Sequence, residues 1–543
     1  MKICAFLFVV FSISLSSQAQ SALSGITGIL QAKCTSGCHS GASPSGNLDL
    51  SGSDADIYDA LYRVNPDNLA ARGEGMKLVH PGYPLKSYLL KKINNGLEPN
   101  FDLNANQGTT CPKNLTPLDN AEIELVRQWI LAGAPDTGKV LNQHLIQDYY
   151  SSGGLSRIDA PTPPSFGQGM QIHYGPFFLS PGQEIEIFKK HDLALPDDVE
   201  VYRMDVRMNW QSHHFILWKF DDSNLIDFFP EGTRDIYTFP NVLNAKTVFG
   251  WQYTDDITLP AGAAYFWNRN TVLDLDYHLK NYSSDSILAA EVFINVYYYP
   301  KGFAQHEMIA EGEIFDINGF CVPADGQQHF YTDAIYISDS SRMDEEWDIW
   351  MLSSHTHKYG LDFDIFRRNA DGTKGEQVYE GFYSTDYSFN QGYYDFAHPA
   401  IRKITPTLRV KASEGLIYEA LFKNYGSQTA CFGPTTDDEM LVAYYQYTVA
   451  GKATSASAPK AQNNFTVFPN PFNSSALLAF ELGKGSTVEL EIFNSLGMKV
   501  NVIASGNLSA GKHSYPISAL QAGAYFARLA VNGRTEYRTI VSF

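Results

Sequence analysis

The chain has 543 residues, of which 44% are hydrophobic and 18% charged. This length exceeds what one hydrophobic core supports, so we expect four domains, and the 32 tyrosines and 34 phenylalanines favour β structure. A net charge of -19 argues against nucleic acid or an anionic membrane surface as the main partner, because both select clustered lysine and arginine.

The first predicted element is an export signal. Residues 1–19 combine Lys2, an apolar run from Ile3 to Leu15 and a small-residue stretch ending at Ala19, which is typical of a secretory signal peptide. No later stretch has the roughly 20 apolar residues that a membrane helix needs. We therefore expect an exported protein with no membrane span.

Residues 20–140 are predicted to form a small α-helical domain that carries a haem. A helical pattern runs into Cys34-Thr35-Ser36-Gly37-Cys38-His39, which resembles a c-type haem attachment site. In such a site two thiols bond the porphyrin vinyl groups and the histidine is the proximal iron ligand. The spacing here is CxxxCH, one residue longer than the usual CxxCH. The alternatives are a Cys34–Cys38 disulfide, or a chance pair beside a surface histidine.

The rest of this region is similar to the small cytochromes fused to secreted bacterial enzymes. Its last helix is predicted around Trp129, where apolar residues recur at helical spacing before Gly133. Those cytochromes carry a Met-Pro segment before this helix, and no methionine occurs there in this chain. Met76 and His80 are therefore both candidates for the distal haem ligand, and Cys111 has no assigned partner.

The middle of the chain is predicted to be β structure. Residues 141–165 are rich in Gly, Ser and Pro and are interpreted as a linker. From residue 166 to 449, short alternating strands are separated by turn residues, which is typical of β-sandwiches or jelly rolls. We expect two such domains, 166–300 and 301–449.

The C-terminal region begins after a second predicted linker, 450–464. Residues 465–543 again alternate as strands, and the landmarks Phe468-Pro469-Asn470-Pro471 and Leu496-Gly497 resemble the C-terminal sorting domain of the type IX secretion system. The resemblance implies an immunoglobulin-like β-sandwich, interaction with the type IX secretion machinery, and a protein that is secreted or attached to the cell surface. An ordinary immunoglobulin-like domain would lack these landmarks.

Six metal-ligating side chains lie in the predicted β region. His213-His214 can bind one ion only at a strand end, a bulge or a sheet edge, because adjacent residues on a strand face opposite ways. His278 lies on a strand that can bring a third imidazole alongside. The spacing of His355-Thr356-His357 puts both rings on one face, and Met440 can complete this second set. Because a thioether favours Cu(I) and imidazole suits both oxidation states, the two sets predict two copper sites of different redox character.

The segments Ser212–Phe215, His355–His357 and Thr436–Met440 occur in the order found in the copper type II, ascorbate-dependent monooxygenases, the family of peptidylglycine α-hydroxylating monooxygenase and dopamine β-monooxygenase. The resemblance covers residues 166–449 and implies two jelly-roll-like β-sandwich copper domains in a mainly β protein. It implies an electron-transfer copper on the three-His set and an O2-activating copper on the second set. The implied copper ligands are His213, His214, His278, His355, His357 and Met440, and the implied catalytic residues are His355, His357, Met440 and Tyr444.

Two positions depart from the peptide-hydroxylating members of that family. Those members carry an Arg two residues before the first histidine of the second set and an Asn two residues after the methionine, which help to hold the substrate carboxylate. Here the residues are Ser353 and Val442. The resemblance therefore implies a small-molecule substrate other than peptidyl-glycine. It also implies a disulfide between Cys321 and Cys431, which export permits.

Together these features predict a secreted monooxygenase that hydroxylates a C–H bond of an organic substrate with O2. Its cofactors would be two copper ions and a covalent haem c, and an external donor would supply electrons through the haem. The alternative is a non-catalytic surface protein that binds copper for acquisition or sensing. A glycan-binding adhesin would explain neither the haem motif nor the six ligands.

Overall fold

The computed structural model describes most of the chain and divides it into two compact units. A helical unit comprises residues up to Ser152 together with Glu231–Thr233, and a β unit comprises the remainder. The predicted signal peptide, nearly all of the second linker, Pro469-Asn470-Pro471 of the first sorting-domain landmark and the Leu496-Gly497 landmark lie outside the described residues. The described residues are 22–98, 101–113, 115–138, 142–165, 167–195, 197–220, 226–227, 229–235, 245–316, 319–381, 394–433, 435–451, 465–468, 472, 475–494, 499–518, 520, 523–532 and 534–542.

The helical unit is built around the helix that the sequence predicts near Trp129. Asp119 caps this helix, because its side chain accepts a hydrogen bond from the Glu122 N–H while the Glu122 side chain accepts from the Asp119 N–H. Trp129 itself is fully buried. The helices are α1 (Ala22–Cys34), α2 (Asp54–Leu61), α3 (Leu69–Gly73), α4 (Tyr88–Ile93), α5 (Asn120–Leu131) and α6 (Gln143–Ser152).

The β unit begins with a first β domain made of two sheets. One sheet has the order β1-β10-β3-β8-β11 with β7 on β3, and the other has the order β5-β2-β9-β4-β6. The sheets meet where the Tyr277 hydroxyl donates to the Glu291 carbonyl at 3.0 Å. The strands are β1 (Gly169–Leu179), β2 (Glu184–Asp192), β3 (Val199–Met208), β4 (Ser212–Phe220), β5 (Thr233–Asp235), β6 (Ala245–Trp251), β7 (Asp255–Thr258), β8 (Ala263–Trp267), β9 (Val272–Lys280), β10 (Leu288–Pro300) and β11 (His306–Glu307).

The second β domain has two four-stranded sheets around one apolar core. Their orders are β12-β21-β15-β18 and β14-β19-β16-β17, and a short pair, β13 with β20, carries the Cys321–Cys431 disulfide. The disulfide implied by the sequence is thus confirmed. The strands are β12 (Ile309–Ile314), β13 (Cys321–Val322), β14 (Gln328–Ile335), β15 (Glu346–Thr356), β16 (Gly360–Arg368), β17 (Lys374–Glu380), β18 (Arg402–Lys411), β19 (Leu416–Lys423), β20 (Ala430–Cys431) and β21 (Leu441–Val449).

The C-terminal β domain has a three-stranded sheet, β22-β23-β26, and a four-stranded sheet, β25-β24-β27-β28, with one shared core. The prediction of a mainly β protein is confirmed. No helix among the described residues is long and apolar enough to cross a membrane. The strands are β22 (Thr466–Phe468), β23 (Ser475–Leu482), β24 (Ser486–Asn494), β25 (Lys499–Leu508), β26 (Gly511–Ser518), β27 (Gly523–Val531) and β28 (Arg534–Ser542).

Candidate metal sites

A β-bulge explains how two adjacent histidines can face the same way. On the neighbouring strand β9, Leu279 pairs with Ser212 and His278 pairs with His214, so His213 is the extra residue on β4. The irregularity turns both adjacent rings toward His278. One ring nitrogen from each of the three histidines lies within 4.8 Å of the other two. We call His213, His214 and His278 the three-His cluster.

The ring nitrogens of the three-His cluster are buried and incompletely bonded. His278 Nε2 lies 2.8 Å from a Glu184 carboxylate oxygen, which only accepts, so Nε2 carries the proton and Nδ1 keeps a free lone pair. His213 and His214 face each other through their Nδ1 atoms at 3.2 Å. His278 Nδ1 and His213 Nε2 have no hydrogen-bond partner in the described part of the chain.

The second set of ligands lies at one end of the second β domain. His355 is the second-to-last residue of β15, and the rings of His355 and His357 have centroids 5.1 Å apart. In the antiparallel pairing with β21, His355 is opposite Val442 and Thr356 is opposite Leu441, which places Met440 at the same end of the sheet. We call His355, His357 and Met440 the His-Met cluster.

Hydrogen bonds hold the His-Met cluster in place. The buried Glu439 carboxylate accepts from the backbone N–H groups of His357, Tyr359 and Met440, at 3.1, 2.8 and 3.2 Å. His357 Nδ1 lies 3.3 Å from the Asp438 carbonyl oxygen, so Nδ1 carries the proton. His357 Nε2 is buried and has no partner among the described residues. The segment before β21 therefore positions both a histidine and the methionine.

The two clusters adjoin each other. The His355 ring centroid lies 5.9 Å from that of His213 and 5.3 Å from that of His214. Burial lowers the pKa of His214 to about 4 and that of His357 to about 3, and it lowers the pKa of His213 and His355 well below their usual value. These imidazoles are therefore neutral at physiological pH, which is the form that binds a metal ion.

Glu184 connects the clusters, and the sequence analysis did not predict this role. Besides His278 Nε2, its carboxylate accepts from the Lys280 ammonium at 3.0 Å and from both the backbone N–H and the hydroxyl of Thr436. Thr436 belongs to the segment that positions Met440. A single carboxylate on β2 thus contacts a histidine of the first β domain and a loop of the second.

Two more carboxylates, the half-buried Glu186 and the buried Asp276, lie beside the three-His cluster. Glu186 Oε1 is 3.6 Å from His214 Nε2, and Asp276 accepts from the Trp218 indole N–H at 3.0 Å. Burial raises the pKa of Glu186 to about 7 and that of Asp276 well above its usual value. The sequence signal was the alternation of acidic and apolar residues in β2 and β9, which puts Glu184 with Glu186, and Asp276 with His278, on one sheet face.

The remaining predicted site residues of the β unit have defined surroundings. Tyr444 is half-buried, and its hydroxyl donates to the Val248 carbonyl of the first β domain at 3.1 Å. Ser353 is buried and its hydroxyl donates to the Ala400 carbonyl at 3.0 Å, while Val442 is half-buried. Neither residue offers the positive charge or the amide that would hold a carboxylate.

The predicted haem motif of the helical unit lies in a tight turn after α1. The His39 N–H donates to the Cys34 carbonyl at 3.2 Å, and His39 Nδ1 lies 3.1 Å from the Leu48 carbonyl, so Nδ1 carries the proton and Nε2 is available as a ligand. Cys34 is buried and its Sγ lies 2.7 Å from Cys111 Sγ, while Cys38 is half-buried. His39 therefore fits an axial haem ligand, and Cys34 does not fit a thioether.

The two candidate distal ligands have different environments. Met76 is buried in an apolar cluster with Ala71 and Tyr88. His80 packs edge-on against Tyr83, and its Nδ1 is buried with no partner among the described residues. Burial lowers the pKa of His80. His80 thus has a free ring nitrogen, whereas Met76 has the surroundings of a core residue.

The donors of the β unit fit copper. Two nitrogens bound to one ion through bonds of about 2.0 Å are roughly 3.3 Å apart, and the facing Nδ1 atoms of His213 and His214 are 3.2 Å apart. An unpaired buried polar atom costs free energy, and several occur together here. A metal ion at each cluster would satisfy His278 Nδ1 and His357 Nε2.

Comparisons with known proteins identify one region of the chain. Residues 466–542 match the secretion system C-terminal sorting domain family. No curated protein matches the chain. The major capsid protein P2 from bacteriophage PM2 is 8% identical over 54% of this chain and 97% of its own, with a TM-score of 0.18. A β-glucuronidase from Ruminococcus gnavus is 10% identical over 45% of this chain and 46% of its own, with a TM-score of 0.13. Similarity at this level assigns neither a fold nor an activity.

The predicted sorting domain spans the β strands from β22 to β28 and agrees with the matched residues. Its presence indicates passage through the type IX secretion system and interaction with that machinery. The C-terminal β domain is therefore a type IX secretion sorting domain, and the protein is exported to the cell surface or secreted.

Proposed function

We propose that this exported protein is a copper-dependent monooxygenase that hydroxylates a C–H bond of an organic substrate with O2. The observation that carries the proposal is the convergence of five imidazoles, four of them buried, and one methionine-bearing segment from two β domains. Residues 166–449 would then be two copper domains of the jelly-roll type, in the family of the ascorbate-dependent copper monooxygenases.

The three-His cluster would hold one copper ion and the His-Met cluster the other. Copper at these clusters would supply one-electron transfer and, as Cu(I), an affinity for O2. The free lone pairs are on Nδ1 of His278 and on Nε2 of His357, because Glu184 and the Asp438 carbonyl fix the opposite nitrogens as donors. The Met440 thioether favours the reduced state of its site.

The overall reaction needs two electrons and two protons from outside: the substrate C–H becomes C–OH and the second oxygen atom leaves as water. A haem at His39 would pass electrons singly from an external donor. Four of the five histidines are buried, and Glu439 fixes His357 and Met440 relative to each other. Tyr444 lies between the two β domains and is proposed to face the substrate side.

The substrate is proposed to be a small molecule other than peptidyl-glycine. Ser353 uses its hydroxyl on the Ala400 carbonyl, and Val442 carries no polar group. Neither side chain can pair with a substrate carboxylate. A neutral or aromatic substrate fits this position better than an anionic one.

The test uses the full-length exported protein. Copper content is measured first, followed by oxygen uptake and product formation with a reductant and a panel of neutral substrates. Met440→Ala should abolish product formation while haem reduction stays intact, whereas Met343→Ala, at an exposed methionine of the second β domain, should change neither. Product formation that persists in Met440→Ala would contradict the proposal. Copper binding without oxygen uptake on any substrate would favour copper acquisition or sensing instead.

A further inference from the structure

The sulfur atom of Cys34 is already in contact with another sulfur. Cys34 is the last residue of α1 and is 2% exposed, and its Sγ lies 2.7 Å from Cys111 Sγ. Two non-bonded sulfur atoms do not approach so closely, and bonded ones are about 2.05 Å apart. A relative shift of less than about 1 Å would bring the pair to bonding distance.

Both cysteines are held by backbone hydrogen bonds that do not involve the sulfurs. The Cys111 N–H donates to the Lys92 carbonyl of α4 at 2.8 Å, and the Lys92 ammonium donates to the Thr109 carbonyl. The Cys34 carbonyl accepts from the His39 N–H. The sulfur contact therefore joins two fixed segments, whose residues are 77 positions apart in the sequence.

We propose that Cys34 and Cys111 form a disulfide in the exported protein, and that haem is bonded to Cys38 alone with His39 as its axial ligand. The disulfide rests on the sulfur contact and on export into an oxidising compartment. The attachment through one thioether also rests on the haem proposed above as the electron entry.

The proposal contains two covalent reactions, disulfide formation between Cys34 and Cys111 and attachment of haem to Cys38. In the first, the two thiols exchange with an oxidised protein disulfide of the export compartment: one S–S bond forms between Cys34 and Cys111, and the two electrons and two protons pass to that oxidant, which leaves as a dithiol. In the second, the Cys38 S–H adds across one porphyrin vinyl group. A C–S bond forms, the proton goes to the other vinyl carbon, and no electrons are exchanged.

Attachment through Cys38 alone is compatible with the unusual CxxxCH spacing. Two thioethers on one porphyrin fix the separation of their sulfur atoms, so the loop between the two cysteines must accommodate the extra residue of CxxxCH. A single thioether sets no such distance and needs only Cys38 next to His39. The extra residue in CxxxCH is then without consequence, and Cys111 acquires the partner that the sequence left open.

The experiment is a peptide map of the full-length protein, exported from cells that attach haem c and digested without reduction. We expect one cross-linked pair of peptides containing Cys34 and Cys111, two hydrogens lighter than their sum, and haem mass on the Cys38 peptide alone. The reduced pyridine haemochrome should absorb between the positions for two thioethers and for none. Free thiols at Cys34 and Cys111, or haem mass on both Cys34 and Cys38, would overturn the inference.

Two variants separate the parts of the inference. Cys34→Ser should keep covalent haem at the wild-type level, and Cys38→Ala should lose covalent haem while keeping the cross-link. The map of the wild-type protein decides the question even where Cys34→Ser fails to fold. A cross-link without any haem would overturn the single-thioether attachment together with the proposed electron entry, and the copper content of the same sample tests the copper sites separately.

Discussion

A redox cofactor is proposed for both the β unit and the helical unit, but the candidate ligands are arranged differently in the two. In the β unit, histidines from β4, β9 and β15 meet with ring centroids 4.7 to 5.9 Å apart, and several ring nitrogens lack partners. In the helical unit, His39 has a free nitrogen, but the Cys34 sulfur of the same motif lies against Cys111.

The difference shows that residue spacing and ligand availability are separate properties. A motif fixes which side chains are close along the chain, whereas a binding site needs donors whose lone pairs are free and directed to one point. His278 and His357 meet this condition because a carboxylate and a carbonyl occupy their other nitrogens. Cys34 does not, because a residue far along the chain contacts it.

The largest expected effect is the loss of one copper ion when a ligand is removed. His213→Ala should bind one copper ion per chain instead of two and lose product formation, because the three-His cluster keeps only two imidazoles. We expect copper affinity at that cluster to fall more than about 100-fold, since changes to outer partners alone cost 10- to 100-fold. Metal analysis and the Cu(II) electron paramagnetic resonance spectrum measure this.

The matched control for His213→Ala is His329→Ala. His329 lies on β14 in a partly exposed position, pairs with Asp325 and belongs to neither cluster. This variant should keep two copper ions. If His213→Ala also keeps two, the three-His cluster is not a copper site and the contrast between the two units fails.

A somewhat smaller effect is expected when the helical unit is changed. His39→Ala removes the axial nitrogen that the Leu48 carbonyl orients, so haem reduction by a protein donor should slow strongly. Copper content should stay at two ions, and turnover with a small reductant that reaches copper directly should be kept. If His39→Ala turns over equally fast with the protein donor and with the small reductant, the haem does not carry electrons to the copper sites.

Parts of this arrangement could be predicted from the sequence and parts could not. The adjacency of His213 and His214 required a bulge or a strand end, and a bulge is present. The i, i+2 spacing of the second pair gives neighbouring rings. The mainly β composition and the sorting domain landmarks also gave correct predictions. In each case the physical cause is local, because it depends on strand alternation or on a short motif.

The missed features depend on contacts between distant segments. Glu184 is 94 residues from His278 and 252 residues from Thr436, and Cys34 is 77 residues from Cys111. No periodicity connects such positions, because their separation is set by the packing of whole sheets and helices. Alternating acidic residues in β2 are a signal for a polar sheet face, but they do not show which histidine it faces.

An intermediate effect is expected at Glu184. Glu184→Gln keeps the size of the side chain but removes the charge that accepts from His278 Nε2, so the imidazole is held less firmly. Copper affinity of the three-His cluster should fall about 10- to 100-fold, as is usual for such partners, and that of the His-Met cluster should change less. Copper titration followed by spectroscopy of each site measures the two affinities.

Glu376→Gln is the matched control, because Glu376 is an exposed carboxylate on β17 of the second β domain. Its copper affinities should equal those of the wild type. Equal losses at both clusters in Glu184→Gln would show that the residue acts mainly by holding the two β domains together through Thr436. An unchanged three-His cluster would show that Glu184 does not position His278.

The smallest effect on the cofactors is expected from the Cys321–Cys431 disulfide. Replacing both cysteines by alanine opens a cross-link between residues 110 positions apart, and the free energy of unfolding should fall by about 2–5 kcal/mol. The His-Met cluster should nevertheless keep its copper at 25 °C, because the Cys431 carbonyl, which accepts from the Glu439 N–H at 2.9 Å, is retained in alanine. Chemical denaturation with and without copper tests this. Loss of copper in the folded double variant would mean that the disulfide positions Glu439. The β unit would then resemble the helical unit, where the proposed Cys34–Cys111 disulfide lies next to a proposed cofactor ligand.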